Sequence, residues 1–188
     1  MKFLKISLKS LMATGTIAAS SKKYSKLIAN SAELSHKKCV VELGPGDGVI
    51  TKEINKQISP NATFFCLEIN KQFVIETQRN CPNTTVYHAS AIEISKYLKK
   101  NNQNKCDCVI SGLPWALFEQ EKQEEIIDEV VKSLENGGQF LTIAYITGIF
   151  FPSGIRFKKL LKKKFSNVKT TKIIWSNFLP AFAYICTK

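Results

Sequence analysis

Apolar runs and amphipathic stretches alternate along most of the chain. Short runs rich in Val, Ile, Leu and Phe are typical of buried strands, and they cover 38–43, 62–68, 84–88, 106–110 and 139–145. Between them, apolar positions at helical spacing predict helices near 49–58, 70–80, 92–100 and 118–135. This alternation predicts an α/β fold, with a mostly parallel sheet and helices on both faces.

The carboxyl-terminal part departs from this alternation. A helix is predicted over 154–164, and two further strands over 168–176 and 179–186 would close the sheet as an antiparallel hairpin. The run Asn136-Gly137-Gly138 is typical of a helix C-terminus and predicts where the helix before strand five ends. With 188 residues and no internal repeat, the chain suits a single domain.

The amino-terminal part is amphipathic. Residues 2–12 plot as a helix with Lys2, Lys5 and Lys9 on one narrow arc and apolar side chains over most of the remainder. That pattern fits a helix lying in a membrane interface, and it fits equally a helix packed on the domain's own core. A signal peptide is disfavoured because two of the lysines interrupt any apolar leader segment.

A second helix is predicted behind a break at 14–16. Ser20 or Ser21 would cap its start, and it would run through Asn30. We therefore divide the single domain into amphipathic, membrane-contacting helices over 1–32 and a main body over 33–188.

The net charge of +12 is concentrated in two places. Residues 1–32 hold six lysines and no acid, and residues 154–172 hold Arg156, seven lysines and no acid. The second cluster lines one face of a predicted helix and includes Lys158 and Lys159. Localised basic patches suit an anionic partner, either nucleic acid or anionic lipid, although solvated lysine-rich helices would show the same pattern.

Cysteine usage and hydropathy narrow the class of protein. No apolar run reaches 18 residues, so no transmembrane helix is predicted. The six cysteines fall mostly in predicted strands and form no CxxC pair, which indicates reduced, buried thiols in a cytosolic protein. No metal site is predicted, because His36 and His88 are isolated.

The most informative segment is Val40 to Gly48, where two apolar residues and Glu42 lead into glycines at 44, 46 and 48. It reads as a strand, a tight turn and a helix, a unit that suits a nucleotide-like ligand. Glu68 ends the next strand, where a carboxylate typically binds ribose hydroxyls. Because Glu42 would repel a pyrophosphate, a ligand with ribose and positive charge, such as S-adenosylmethionine, fits better. A plain turn capped by Asp47 is the alternative.

A second loop, 111–115, follows strand four and should face the same cleft as the glycine turn. Its exposed carbonyls can accept hydrogen bonds from an amine. Trp115 offers an aromatic face to a cation, or else packs in the core.

Together, the glycine turn, Glu68 and the Ser-Gly-Leu-Pro-Trp loop resemble class I S-adenosylmethionine-dependent methyltransferases. More narrowly, the loop, the segment 15–21 and the segment 177–184 are similar to bacterial phospholipid N-methyltransferases, which make phosphatidylcholine from phosphatidylethanolamine. The resemblance implies a Rossmann-like sheet, S-adenosylmethionine as cofactor, and a monomer on the inner face of the cell membrane. The chain departs from the family pattern after strand three, where related enzymes carry an acidic residue and this chain has Ser90.

The resemblance also implies roles for individual residues. The cofactor would be held by Glu42, Gly44, Gly46, Gly48, Glu68, Ile69, Ser90, Ala91 and Ser111. The substrate amine would meet Ser111, Gly112, Leu113 and Trp115, with Tyr24, Tyr184 or water receiving its proton. The substrate phosphate and the anionic membrane surface would contact Lys2, Lys5, Lys9, Arg156, Lys158 and Lys159.

Two rival functions remain. Ribosomal RNA adenine dimethyltransferases share the cofactor half and a Leu-Pro-aromatic loop, but their loop begins with Asn where this chain has Gly112. An inactive membrane-surface module would retain the fold, and Ser90 favours it. The intact turn, Glu42 and Glu68 count against it.

Overall fold

The computed structural model describes residues 15–175 and 180–188, with the side chains of the first helix described from Lys23 onward. Six α-helices and seven β-strands follow one another along these residues, joined by short 3-10 turns. The helices are α1 (Gly15–Ser31), α2 (Val49–Asn55), α3 (Lys71–Asn80), α4 (Ile94–Lys100), α5 (Gln120–Ser133) and α6 (Pro152–Lys164). The strands are β1 (Cys39–Leu43), β2 (Thr63–Glu68), β3 (Thr85–His88), β4 (Cys106–Ser111), β5 (Leu134–Tyr145), β6 (Asn167–Thr170) and β7 (Ala181–Thr187).

The strands form one sheet in the order β3-β2-β1-β4-β5-β7-β6. Strands β1 to β5 are parallel, and β7 is antiparallel to both β5 and β6. The α/β prediction with a carboxyl-terminal hairpin is confirmed. The order reverses between β1 and β4, so the carboxyl ends of those two strands flank the crevice where open α/β sheets bind ligands.

Each face of the sheet carries its own apolar core. One face buries Phe65, Val109 and Phe140 beneath α4, α5 and α6. The other buries Ile110 and Leu141 beneath α1 and α2. Because β1 and β4 are covered on both faces, they are buried along almost their whole length rather than at alternate positions.

The first helix belongs to this second core. Tyr24, Ile28, Ala29 and Ala32 are buried there. For the described part of α1, packing on the domain's own core is therefore what the structure shows. The predicted cap at Ser20 or Ser21 is wrong, since α1 already begins at Gly15 and both serines lie inside it. Residues 2–12 lie outside the described chain.

The predicted helix stop at 136–138 is also wrong. Helix α5 ends at Ser133, and the glycines lie within β5 as an irregularity of its pairing with β4. Gly137 adopts φ +77, its N–H donates to the Lys188 carbonyl, and the Gly138 carbonyl accepts from the Lys188 N–H. The glycines thus let β5 bulge toward the carboxyl end of β7.

Strand β6 is shorter than the predicted span 168–176. Its pairing with β7 ends at Thr170, and beyond that residue there is one bridge, between Ile174 and Ala181.

Within the described chain, no helix has both the length and the apolarity needed to cross a membrane.

Candidate active site

The glycine turn joins β1 to α2 at the centre of the sheet. Gly44, Gly46 and Gly48 adopt φ values of +67, +62 and +85, a conformation that only glycine takes without strain. A Cβ on Gly44 would lie 2.7 Å from the Leu113 side chain, whereas a Cβ on Gly46 would meet no atom within 4 Å. The backbone at Gly46 therefore borders open space, as a ligand-facing turn requires.

Glu42 is fully buried near this turn. Its Oε2 accepts from the Thr51 hydroxyl at 2.7 Å and from the Cys66 thiol at 3.3 Å. Its Oε1 has no partner among the described residues. Burial raises the pKa of Glu42 from 4.5 to about 7, although the two hydrogen bonds oppose the rise. A buried carboxylate with an unused oxygen is complementary to a cationic group of a ligand.

Glu68 ends β2 and is held at the turn by backbone donors. Its Oε1 accepts from the Asn70 N–H at 2.8 Å, and its Oε2 accepts from the Gly46 N–H at 3.3 Å. Burial raises its pKa, while the backbone N–H groups of Asn70, Gly46 and Ile69 lower it. Each carboxylate oxygen retains a second lone pair, so the group can still accept from a diol.

Two further predicted cofactor contacts, Ile69 and Ser90, follow strands β2 and β3. Ile69 is 71% exposed although it follows a buried strand. Ser90 caps the 3-10 turn Ala91–Glu93: its Oγ accepts from the Ile92 N–H, and its own N–H donates to the Glu93 carboxylate at 3.0 Å. Ser90 therefore has a local structural role, and its O–H remains available as a donor to a base.

The loop after β4 packs directly on the glycine turn, as the sequence predicts. The Gly112 N–H donates to the Leu43 carbonyl at 2.9 Å, and a Cβ on Gly112 would lie 2.7 Å from the Gly44 carbonyl oxygen. Ser111 is fully buried; its Oγ accepts from the Leu113 N–H and its carbonyl accepts from the Thr142 hydroxyl. No described group donates to the Gly112 carbonyl, so this acceptor of the loop is unused within the described residues.

Trp115 does not present its ring to a ligand, and the prediction of a cation-binding face is wrong. The side chain is only 3% exposed and stacks on Phe157 at 4.4 Å between ring centroids. Its Nε1 donates to the Thr142 hydroxyl at 2.7 Å. A ring that follows a strand end and faces α6 is drawn into the core because burying its large apolar area is favourable.

The two candidate tyrosines lie on opposite faces of the sheet. Tyr184 packs edge-on against Phe157 and Phe182, and Tyr24 packs in the α1 core. Burial raises the pKa of both, well above 10 for Tyr24. Both side chains are therefore neutral phenols, which cannot act as bases near neutral pH. The Tyr24 hydroxyl is buried without a partner among the described residues.

Helix α6 carries the basic side chains that the sequence singles out. Lys158 and Lys159 are exposed, and the Nε of Arg156 is buried without a described partner. A cavity of about 240 Å³ between α5 and α6 is lined by Gln120, Gln123, Glu124, Arg156, Lys159, Leu160, Lys163 and Lys164. Lys2, Lys5 and Lys9 lie outside the described residues.

Several supporting residues are not found by the sequence analysis. Thr51 and Cys66 hold Glu42, and Thr142 links Trp115 to the Ser111 carbonyl. Thr77 Oγ1 donates to the Gly46 carbonyl at 2.7 Å, and Asn80 donates to the Asp47 carbonyl at 2.8 Å. Their only sequence signal is a polar residue at a position whose helix or strand neighbours predict burial.

The site fits S-adenosylmethionine on its own geometry. The unpartnered oxygen of Glu42 suits the positive charge, and Glu68 suits the ribose. The open face of Gly46 and the exposed Ile69 provide room and an apolar contact for the remainder. Sheet order and site together define a class I methyltransferase fold that uses S-adenosylmethionine.

Comparison with known proteins supports this assignment. A sequence profile described as a methyltransferase domain matches residues 40–138, and the chain belongs to that family. The ornithine lipid N-methyltransferase of Singulisphaera acidiphila is 27% identical over 177 residues, which cover 93% of this chain and 88% of that protein.

Solved structures share the fold at low identity. An S-adenosylmethionine-dependent O-methyltransferase from Thermotoga maritima has a TM-score of 0.66 at 16% identity; the match covers 88% of this chain but 64% of that one. An O-methyltransferase from Bacillus cereus in complex with SAH has a TM-score of 0.69 at 12% identity, over 88% of this chain and 81% of its own. The predicted cofactor is confirmed.

Proposed function

We propose that this chain transfers methyl groups from S-adenosylmethionine to the primary amine of a membrane lipid, with phosphatidylethanolamine as the first candidate. The observation that carries the proposal is the packing of Gly112. Because a Cβ there would lie 2.7 Å from the Gly44 carbonyl, residue 112 has no room for an amide side chain of the kind that would hold a planar adenine amine. The loop offers the Gly112 carbonyl instead, which suits an aliphatic amine.

The chain's own residues would position the two reactants. Bound S-adenosylmethionine supplies an electrophilic methyl group on a sulfonium. Glu42 would balance its positive charge, and Glu68 would accept from its ribose hydroxyls. The Gly112 carbonyl accepts one N–H of the amine and so aligns its lone pair with the methyl group. Alignment of this kind supplies much of the rate of a transfer reaction.

The amine must lose a proton before it attacks. Neither Tyr24 nor Tyr184 is a base near neutral pH, because burial raises the pKa of each phenol. Water is therefore the acceptor in this proposal, and the reaction rate rises with pH until the amine itself is deprotonated.

A second lipid is favoured by the relative from Singulisphaera acidiphila, which is an ornithine lipid N-methyltransferase. Ornithine lipid and phosphatidylethanolamine both carry a primary amine near an anionic group. Arg156 and Lys159, which line the cavity between α5 and α6, and the exposed Lys158 are the basic groups that would hold that anion, either a phosphate or a carboxylate. Helix α6, which carries these three residues, is joined to the connection after β4 by the hydrogen bond from Ser153 Oγ to the Ala116 carbonyl, and this supports a lipid headgroup of either kind.

We place this activity at the inner face of the cell membrane, with the protein monomeric and peripherally attached. The two clusters of positive charge support this location, because anionic lipids attract such clusters.

The test is a methyl-transfer assay on vesicles. The full chain is incubated with S-adenosylmethionine carrying a labelled methyl group, and with vesicles of phosphatidylethanolamine or ornithine lipid mixed into phosphatidylglycerol. Label in one lipid, resolved by thin-layer chromatography, identifies the substrate. Glu68→Ala should lose cofactor binding and label together, whereas the matched control Glu121→Ala, on the exposed face of α5, should retain both.

Two results would overturn the proposal. Label transferred to RNA and never to lipid would favour an RNA methyltransferase. Failure to bind S-adenosylmethionine by calorimetry would favour an inactive membrane-surface module.

A further inference from the structure

Large apolar side chains are exposed along one edge of the sheet, beside the loop that carries Gly112. We call this set the apolar rim; it consists of Leu117, Tyr145, Phe150, Phe151, Ile155 and Trp175. Phe150 is 74% exposed and Trp175 is 70% exposed. Soluble surfaces rarely collect exposed aromatic residues in this way unless they bind something.

The rim residues come from three connections that meet at the carboxyl edge of the parallel strands. The turn after β4 contacts the turn after β5, because a Cβ on Gly148 would lie 3.5 Å from the Ala116 Cβ. Ser153 Oγ, at the start of α6, donates to the Ala116 carbonyl at 2.7 Å. On the other side, the Ile146 N–H donates to the Pro180 carbonyl at 2.9 Å. The rim is therefore one supported surface and not a set of separate loop tips.

Positive charge borders this apolar surface. Helix α6 begins at the rim, and its lysines 158, 159, 162 and 163 are exposed along the following turns. No acid occurs in residues 154–172. Exposed aromatic residues bordered by lysines match a lipid interface, where rings lie at the level of the headgroups and ammonium groups meet lipid phosphates.

We infer that the apolar rim is the surface that inserts into the bilayer, with Phe150, Phe151 and Trp175 among the lipid chains and the lysines of α6 at the headgroups. This inference rests on the proposed function and deepens it, because it explains how a lipid amine reaches Gly112 without leaving the membrane. The partner is an anionic lipid bilayer. A second copy of the chain is an outcome of the test and not part of the inference.

Tryptophan fluorescence tests the orientation directly. The chain has two tryptophans, of which Trp115 is 3% exposed and Trp175 is 70% exposed. Vesicles of phosphatidylcholine with phosphatidylglycerol should shift the emission to shorter wavelength and protect it from acrylamide. Trp175→Phe should abolish both changes. An unchanged wild-type spectrum, with vesicle binding shown by sedimentation, would overturn the inference.

A pair of variants tests the energetics. Phe150→Ser with Phe151→Ser should weaken vesicle binding at least about tenfold, since each ring leaves a largely buried position in lipid. Raising the salt concentration should weaken the part of vesicle binding that comes from the lysines and leave the part that comes from the aromatic residues unchanged. Ile75→Ser removes a 54% exposed apolar side chain from α3, far from the rim, and should bind as the wild type does. Circular dichroism and cofactor calorimetry, unchanged in these two variants and in Trp175→Phe, would show that each is folded.

The outcomes separate the rim from the activity. Suppose that the protein methylates no lipid and that the double variant loses vesicle binding. Insertion of the apolar rim into the bilayer is then supported, while the proposed function fails. Equal vesicle binding by wild type and double variant overturns the rim, whatever the activity. A wild-type dimer in light scattering that becomes a monomer in the double variant also overturns it, because the surface would then be covered by a second copy.

Discussion

Gly46 and Gly137 share a backbone conformation and differ in their surroundings. Their φ values are +62 and +77, and a Cβ on either residue would meet no protein atom within 4 Å. Gly46 belongs to the turn of the site, and Gly137 lies in the bulge of β5. Alanine at each position should cost about 1–2 kcal/mol of stability, from the left-handed backbone.

The two glycine variants should differ in cofactor binding. Gly46→Ala should lower the affinity for S-adenosylmethionine at least about tenfold, because the methyl group of the alanine enters space that the ligand needs. Gly137→Ala should leave the affinity unchanged. Titration calorimetry and urea unfolding of both variants measure the two effects separately. Equal affinities would mean that the turn does not hold the cofactor.

Glu42 makes the stability of the ligand-free protein depend on pH. Burial raises its pKa from 4.5 to about 7, so the unfolded chain ionises it first. The stability that the neutral form contributes is complete below the unfolded pKa and is lost as pH rises through the folded pKa. The shift corresponds to about 3 kcal/mol.

Glu42→Gln should remove this pH dependence of stability and should also weaken binding of the cofactor. Urea unfolding at about pH 5 and about pH 8 should show a smaller loss of stability in the variant than in the wild type. Wild-type affinity for S-adenosylmethionine should increase over the same range as the carboxylate ionises, whereas the variant should bind weakly throughout. Glu121→Gln, which is exposed, is the control. A wild-type affinity that is flat with pH would contradict the pairing of Glu42 with a cation.

At the scale of elements, Trp115 ties the loop after β4 to α6 and β5. It stacks on Phe157 and donates to Thr142, which in turn donates to the Ser111 carbonyl. Trp115→Phe should lower the free energy of unfolding by about 1–3 kcal/mol, because the Thr142 hydroxyl loses its buried donor and the smaller ring leaves a void.

The same substitution should leave cofactor affinity within about twofold, since Trp115 does not face the ligand. Thermal unfolding and calorimetry on one sample measure both quantities. A large loss of affinity with unchanged stability would restore Trp115 as a ligand contact.

The elements that sequence analysis predicts correctly are those whose signals are local. The glycine turn and Glu68 follow from residue types at fixed distances along the chain. The sequence leaves Trp115 open between a cation-binding face and a core position, because an aromatic residue after a strand suits either, and only the packing of α6 decides for the core. Gly137 was assigned wrongly because a glycine pair suits either a helix end or a strand bulge, and the partner that selects the bulge is Lys188, 51 residues away along the chain.

At the scale of the whole molecule, the reactivity of the six cysteines measures how well the packed sheet excludes solvent. All six are unpaired and buried. Burial raises the pKa of Cys39, Cys108 and Cys186 to about 12. Thiol reagents act on the thiolate, so the folded protein should react far more slowly than the unfolded chain.

The rate of thiol modification should therefore measure opening of the fold. We expect S-adenosylmethionine at concentrations well above its Kd to slow the reaction by the factor by which it lowers the population of the open state, since the ligand binds only the folded state. Counting the modified thiols over time, with and without the cofactor, tests this. Rapid labelling of several thiols in the native protein would contradict the closed packing around β1 and β4.

The position of β7 has a consequence for synthesis on the ribosome. It follows β6 in the chain, yet it lies between β5 and β6 in the sheet. Until residues 181–187 emerge, β5 has an unpaired edge and β6 has no strand to join. The nascent chain therefore exposes an aggregation-prone edge during elongation, and β7 must then enter a gap between two strands that were made before it. Emergence of β7, rather than of the glycine turn, therefore completes the sheet.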